Sequence, residues 1–338
     1  MKKEPSFFIC GLLIGILCAT CGFAWFLRHT KGSASQQGQV ILKLGHCLET
    51  THPVHKGMVF MKQRLEELSN NQVTIDIYPS SVLGSEVECI EQLQSGSLAM
   101  TKTSAASIEN FVPEMAVFGL PYLFRDEAHY WNVLNSDLGK SLLQKGNARF
   151  LKGLCYYDSG SRNFYTTSRP ILTPDDLKGL KIRVMNSRTA MDMVEALGGA
   201  PTPIAWGELY SALAQGTVDG AENNPPSFTS NKHYEVCKHF SLDAHTRIPD
   251  MLLVSTKVWD RLSAQIQQWV QQAAEESCAY QRELWRQKTE ESLDEARAEG
   301  VTIHTVDQTL FSAKVQPMYE ALDDEGIVAL VKQIREVK

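Results

Sequence analysis

The sequence predicts an α/β fold in two domains tied together by one very long helix, and three observations carry this reading. Strand and helix signals alternate from residue 40 to residue 101, the alternation restarts after residue 150, and Ser263 to Glu299 contains neither proline nor glycine. Alternation of this kind implies parallel sheets covered by helices. A chain of 338 residues with 43% hydrophobic content is long and apolar enough for two such units.

In the first unit, Val40 to Gly45 reads as a strand. Pro53 to Ser69 follows with apolar residues at helical spacing (Val59, Phe60, Leu65, Leu68), and Val73 to Tyr78 alternates as a strand. Ser85-x-x-Glu88 is a capping box that opens a helix with Ile90 and Leu93 on its inner face. Gly96 stops that helix, and Leu98 to Thr101 is a short strand.

After residue 150, Leu151 to Tyr157 and Asn163 to Thr167 read as strands. Thr173-Pro174-Asp175-Asp176 starts a short helix, with proline at the first helical position and acids in the first turn. It ends at Gly179, before a strand through Arg183. Helices follow over Ser187 to Leu197, closed by Gly198-Gly199, and over Trp206 to Gln215, stopped by Gly216.

The uninterrupted run from Ser263 keeps Ile266, Trp269, Val270, Ala273, Ala274, Cys278, Leu284 and Trp285 at helical spacing. At 1.5 Å per residue it reaches roughly 55 Å, more than one small domain's diameter, so it should bridge two domains. Its apolar repeat is too short and irregular for a coiled coil. Val301 to Val306 is a late strand and Leu322 to Val337 a terminal helix. The domain expectation is 40–159 plus about 248–287 for the first, and 160–247 plus about 288–338 for the second.

Residues 1–31 differ in kind. A basic start, Met1-Lys2-Lys3, precedes an almost wholly apolar Phe7 to Leu27, which reads as a signal peptide or a membrane anchor. Residues 32–39 are small and polar, as in a linker. Export to the periplasm is the expectation. Of eight cysteines, Cys10, Cys18 and Cys21 lie in the apolar segment. The other five are scattered and odd in number, so they make neither a disulfide framework nor a metal cluster and read as buried thiols. A net charge of -6 offers no basic footprint for nucleic acid.

The chemistry concentrates around two arginines. Arg183 sits in the apolar run Leu180-Lys181-Ile182-Arg183-Val184-Met185-Asn186, and Arg162 in Gly160-Ser161-Arg162-Asn163. Downstream comes Val218-Asp219-Gly220-Ala221-Glu222-Asn223-Asn224-Pro225. A guanidinium is a planar fork of donors that matches a carboxylate in two parallel bonds. Two arginines at strand ends with asparagines nearby suggest a pocket for a small organic acid. The simpler alternative puts Lys181, Arg183 and Met185 on the wetter face of an alternating strand.

Six segments, in order, resemble one family: Leu83-Gly84-Ser85-Glu86, Leu120 to Asp126, Leu177 to Val184, Leu197 to Pro203, Glu208 to Leu213 and Val218 to Asn223. Over roughly residues 40–335 the chain resembles the extracytoplasmic solute-binding proteins of TRAP transporters, DctP type. The resemblance implies a two-domain, periplasmic-binding-protein-like (type II) fold with crossing strands and a domain-spanning helix. It also implies a closing cleft that delivers an organic anion to a sodium-driven membrane permease, with no catalysis, cofactor or metal. By resemblance, Arg183 clamps the carboxylate, Arg162 supports it, Asn186 and Asn223 add polar contacts, and Trp206 supplies an aromatic wall. Glu86, His46 and Thr103 face the cleft from the first domain. Val87 departs from the arginine many members carry there, so the ligand's far end meets neutral or acidic groups.

Glu86 would repel a second carboxylate but accepts bonds from sugar hydroxyls, and Trp206 offers a flat wall for a pyranose. A sugar acid of the hexuronate kind (glucuronate or galacturonate) is favoured over a C4-dicarboxylate. A sugar-acid enzyme and a ligand sensor are the rivals. Against the enzyme, no nucleophile elbow, HExxH motif or Cys–His constellation is present. Each candidate also has a structural alternative. His46 can cap a strand, Glu86 can serve a helix N-terminus, Trp206 can be core, Asn223 can form a turn and Lys102 can be a solvated charge.

Overall fold

Two mixed sheets, each backed by helices, organise residues 39–338, the part of the chain that the computed structural model describes. The expected leader (1–31), residues 32–38 of the linker and three of the cysteines lie outside the described residues. The first sheet has the order β2-β1-β3-β10-β4, from Val40–Gly45 (β1), Val73–Tyr78 (β2), Met100–Ser104 (β3), Leu151–Tyr157 (β4) and Asp250–Ser255 (β10). The second has the order β11-β9-β5-β8-β6-β7. It comprises Arg162–Thr166 (β5), Lys181–Val184 (β6), Ala200–Pro203 (β7), Gly220–Asn223 (β8), His239–Thr246 (β9) and Thr302–Thr305 (β11).

The parallel sheet expected of the first unit holds in part. β1 and β3 run parallel, but β10 lies antiparallel between β3 and β4. The chain leaves the first lobe after β4, builds the second, and returns through β10 from the far side, so β10 enters reversed. Leu151–Tyr157, where the alternation restarts, completes the first sheet.

Local signals placed the helices that matter for the site. Ser85 caps Glu86–Ser95 with the reciprocal Glu88 bond of a capping box, and Gly96 ends it in the left-handed conformation. Ser187 caps Arg188–Leu197, which Gly198 closes. The short helix after Thr173 is a 3-10 turn, Pro174–Leu177.

The long helix is Ala264–Ala298, 35 residues. Near its middle, Ser277 meets the Tyr157 hydroxyl at 2.7 Å and Gln281 brackets the Asp158 backbone, donating to its carbonyl at 2.9 Å. Further along, Ser292 meets Thr229 at 2.9 Å and Ala296 joins the second lobe's core with Tyr165, Phe228 and Phe240. It thus spans both lobes.

The terminal helix, Glu325–Glu336, corrects the domain expectation for 288–338. Ile327, Leu330, Val331 and Ile334 are buried in the first lobe's core, and His129 meets the Ile334 carbonyl at 2.9 Å. Its apolar stripe was legible, but a stripe does not say which core receives it. The five described cysteines are free, four of them buried.

Candidate ligand-binding cleft

Between the two sheets lies a cavity of about 630 Å³, within the range that takes a small ligand. Glu86, Val87, Lys102, Ser104, Ser107 and Asp250 line it from the first lobe; Arg162, Arg183, Asn186, Trp206, Asn223, Asn224 and Ser227 line it from the second.

The pleat of β3 decides its contribution. Successive side chains point to opposite faces, and here Lys102 and Ser104 face the cavity. Thr101 bonds back to the Gly45 carbonyl at 2.8 Å, and Thr103 is buried away from the cavity. The expectation for Thr103 was off by one residue, which in a strand means the opposite face. His46 is likewise not in the cleft. Its Nδ1 accepts from Leu48 N at 3.1 Å and its Nε2 lies 3.0 Å from His55 Nδ1. Burial, with Lys102 and His55 adding repulsion, pushes it down to about 2, so it is a neutral ring closing the turn after β1.

Lys102 is no solvated charge. It is 3% exposed and lies 3.0 Å from Asp250 and 3.3 Å from Glu86. Burial alone would favour its neutral form, but the two carboxylates overcome that and hold it above the ordinary lysine value. Glu86 also accepts from Ser104 N at 3.2 Å and Ser107 Oγ at 2.7 Å. Burial opposes its ionisation, yet Lys102 and these bonds keep it below the ordinary glutamate value. The first-lobe wall therefore presents two carboxylates around one ammonium.

Across the cleft, the two arginines differ. Arg162 pairs bidentately with Glu222, donates from Nη2 to the Glu222 carbonyl at 2.8 Å, and donates from Nη1 to Asn223 Oδ1 at 2.9 Å. Glu222 also meets His245 at 3.3 Å, and His245 meets Asp243 at 2.7 Å. Burial works against each charge. Arg162 and His245 nevertheless draw Glu222 down to about 2, and Asp243 and Glu222 raise His245 to about 9. Arg162 lines the cavity, but its charge is already answered from within the chain.

Arg183 has no such partner. It is 2% exposed, and its Nε donates to the Ile204 carbonyl at 2.8 Å. Its Nη1 is buried without a hydrogen-bond partner, and among the described residues no carboxylate lies within ion-pairing distance. Burial lowers its pKa. The alternative that Arg183 shares a wet strand face with Lys181 does not hold, because Lys181 is exposed and Arg183 is not. The guanidinium sits 5.7 Å from the Trp206 ring. Trp206 is half-buried, its other neighbour being His233 at 5.1 Å, so it is both wall and core.

Asn186 is exposed on the cavity, and its backbone carbonyl accepts from Asn110 at 2.6 Å across the lobes. Asn223 uses Oδ1 twice, for Arg162 and for Asn224 N, which leaves its amide NH2 to offer.

Residues 44–325 match the DctP profile, described as bacterial extracellular solute-binding protein, family 7. The chain belongs to this family. Among relatives of this family-7 protein, uncharacterized protein YiiZ of Salmonella typhimurium is 36% identical over 89% of this chain and 93% of its own. A TRAP periplasmic solute-binding protein from Xanthobacter autotrophicus, solved with bound β-D-galacturonate, is 36% identical with a TM-score of 0.85, covering 88% of this chain and 100% of its own. Another from Chromohalobacter salexigens, with bound D-glucuronate, is 32% identical with a TM-score of 0.85, covering 88% and 100%.

For this solute-binding protein, sequence reasoning missed Asp250, Ser104, Ser107, Asn224 and Ser227, and set Lys102 near the cleft side without its burial and its two carboxylate partners. Asp250 had a signal: an acid heading the apolar run Met251-Leu252-Leu253-Val254 is a polar group bound for burial. The serines had none, since cleft serines and surface serines look alike in sequence.

Proposed function

We propose that this protein captures a sugar acid of the hexuronate kind, such as galacturonate or glucuronate, and presents it to a TRAP-type membrane permease. The observation that carries the reading is the buried, unpaired fork of Arg183 facing a wall that already holds two carboxylates. One end of the cavity calls for an anion. The other disfavours one, because Glu86 and Asp250 outnumber Lys102. A ligand with one carboxylate and several hydroxyls satisfies both ends. The bound uronates of the two solved relatives support the same chemistry. A C4-dicarboxylate would drive its second carboxylate against Glu86 and Asp250.

In this reading, Arg183 clamps the carboxylate, with Arg162 and Asn223 flanking it. Asn186 adds a contact at the mouth, Trp206 packs on the sugar, and Glu86, Lys102 and Asp250 read hydroxyls. The same pairing supplies the switch. A buried guanidinium without a counterion is costly, by roughly 3–5 kcal/mol when a buried pair is broken. The empty protein therefore favours an open, hydrated cleft, and a bound carboxylate favours closure. The permease then distinguishes loaded from empty protein by shape. Work of this kind is done in the periplasm, and residues 1–31 serve export, as signal or anchor.

Calorimetry against D-galacturonate, D-glucuronate, succinate and malate tests the ligand class. Uronate binding with weak or absent dicarboxylate binding is expected. Tight succinate or malate binding without uronate binding rejects it.

A further inference from the structure

One side chain in the cavity has a direction that its neighbours determine. His52 heads the helix Pro53–Leu68 in the first lobe and is 1% exposed. Its Nδ1 lies 3.2 Å from the backbone nitrogen of Val54. An amide N–H only donates, so Nδ1 carries no proton. Burial, with Lys102 next in effect, holds the ring well below the ordinary histidine value, so it is neutral. The ring's one proton is on Nε2, which is 3.2 Å from Ser227 Oγ.

Ser227 belongs to the opposite lobe, in Pro225–Ser230, and is 4% exposed on the cavity. Its oxygen accepts from His52, so its single hydrogen must go elsewhere. Its backbone nitrogen is occupied by Asn224 Oδ1 at 2.8 Å, and no acceptor for the hydroxyl hydrogen is within reach among the described residues.

Building on the sugar-acid reading, we infer that Ser227 is a ligand-contacting donor, its O–H turned into the cleft by His52 toward an acceptor oxygen of the bound acid. His52 touches no ligand and is a positioning residue. Because the two residues come from different lobes, the alignment exists only when the lobes stand as they do here. A hydroxyl held by one fixed donor spends little rotamer freedom on binding, which is how preorganisation strengthens a contact.

The test is a double-mutant cycle on the full exported chain, read by calorimetry with D-galacturonate and D-glucuronate. Ser227→Ala should weaken binding about tenfold for a lost hydrogen bond. His52→Asn keeps a good helix cap but no longer reaches Ser227, and should weaken binding a few-fold. In the Ser227→Ala background, His52→Asn should have little further effect, because it acts through the hydroxyl. Ser227→Cys keeps the volume and should lose affinity as Ser227→Ala does, and thermal unfolding of each variant checks that the fold is intact. Affinity within twofold of the parent in Ser227→Ala, or a full His52→Asn effect without the hydroxyl, overturns the inference. A parent that binds neither uronate overturns the sugar-acid reading and this inference with it. A parent that binds both, loses them in Arg183→Met and keeps them in Ser227→Ala overturns this inference alone.

Discussion

Replacing Arg183 by methionine should collapse ligand affinity while leaving the empty protein at least as stable as before. Methionine keeps an unbranched stem of similar reach but no charge. With ligand, the change removes two charge-assisted bonds to the carboxylate, each worth roughly 1.5–3 kcal/mol. The dissociation constant should rise about 10²- to 10⁴-fold. Without ligand, little is lost: one bond to the Ile204 carbonyl at 2.8 Å and a guanidinium–indole contact at 5.7 Å. The gain is removal of a buried charge with an orphaned Nη1. The cost of burying that charge falls on the closed empty form, since an open cleft hydrates the guanidinium, so the empty variant should be at least as stable as the parent and should close more readily. Calorimetry gives the affinity; thermal unfolding with and without D-galacturonate gives the stability. The parent should gain stability on adding ligand, and the variant should not. Retained affinity within about threefold, or an empty variant melting several degrees lower, would refute the reasoning.

Arg162→Met should behave as the opposite case, since it leaves the buried Glu222 carboxylate with His245 alone to answer it: a loss of roughly 3–5 kcal/mol is expected by urea unfolding even without ligand. The same network sets a pH window. His245 is raised to about 9, so its contribution is complete below about pH 6.5 and disappears as pH climbs through 9; Glu222 is drawn to about 2, so its contribution is complete above about pH 4.5 and is lost on acidification toward 2. Unfolding temperature should decline from pH 6.5 to 9, on the order of 3 kcal/mol for His245, and His245→Gln should flatten that alkaline slope. An unchanged slope in the variant would remove His245 as its cause. Gly160, in the segment crossing from β4 to β5, has φ +56°, and a Cβ there would come 2.7 Å from the Trp285 indole nitrogen. Gly160→Ala should cost about 1–3 kcal/mol in a denaturant midpoint and reorient the crossing; a midpoint equal to the parent's would contradict this.

What the chain's order of residues determined by itself was local. The Ser85 capping box, the stops at Gly96 and Gly198 and the unbroken run of Ala264–Ala298 are interactions within a few residues, and they formed where the spacing said. The spacing around Arg183 left a wetter strand face open, and it was the surrounding segments and the family they resemble that singled the residue out. Short strands such as Ala200–Pro203 and Gly220–Asn223 were not legible, since four residues with little apolar alternation form a strand only when neighbours pair with them. Tertiary structure alone decided the pleat that turned Lys102 inward and Thr103 away, and the pairing of β5 with β8 that gave Arg162 its Glu222 while leaving Arg183 none. It also decided that the terminal stripe of Ile327 to Ile334 would be buried in the first lobe. Caps and helical periods are settled by neighbours along the chain, whereas the partner of a buried charge is settled by whichever distant strand closes over it.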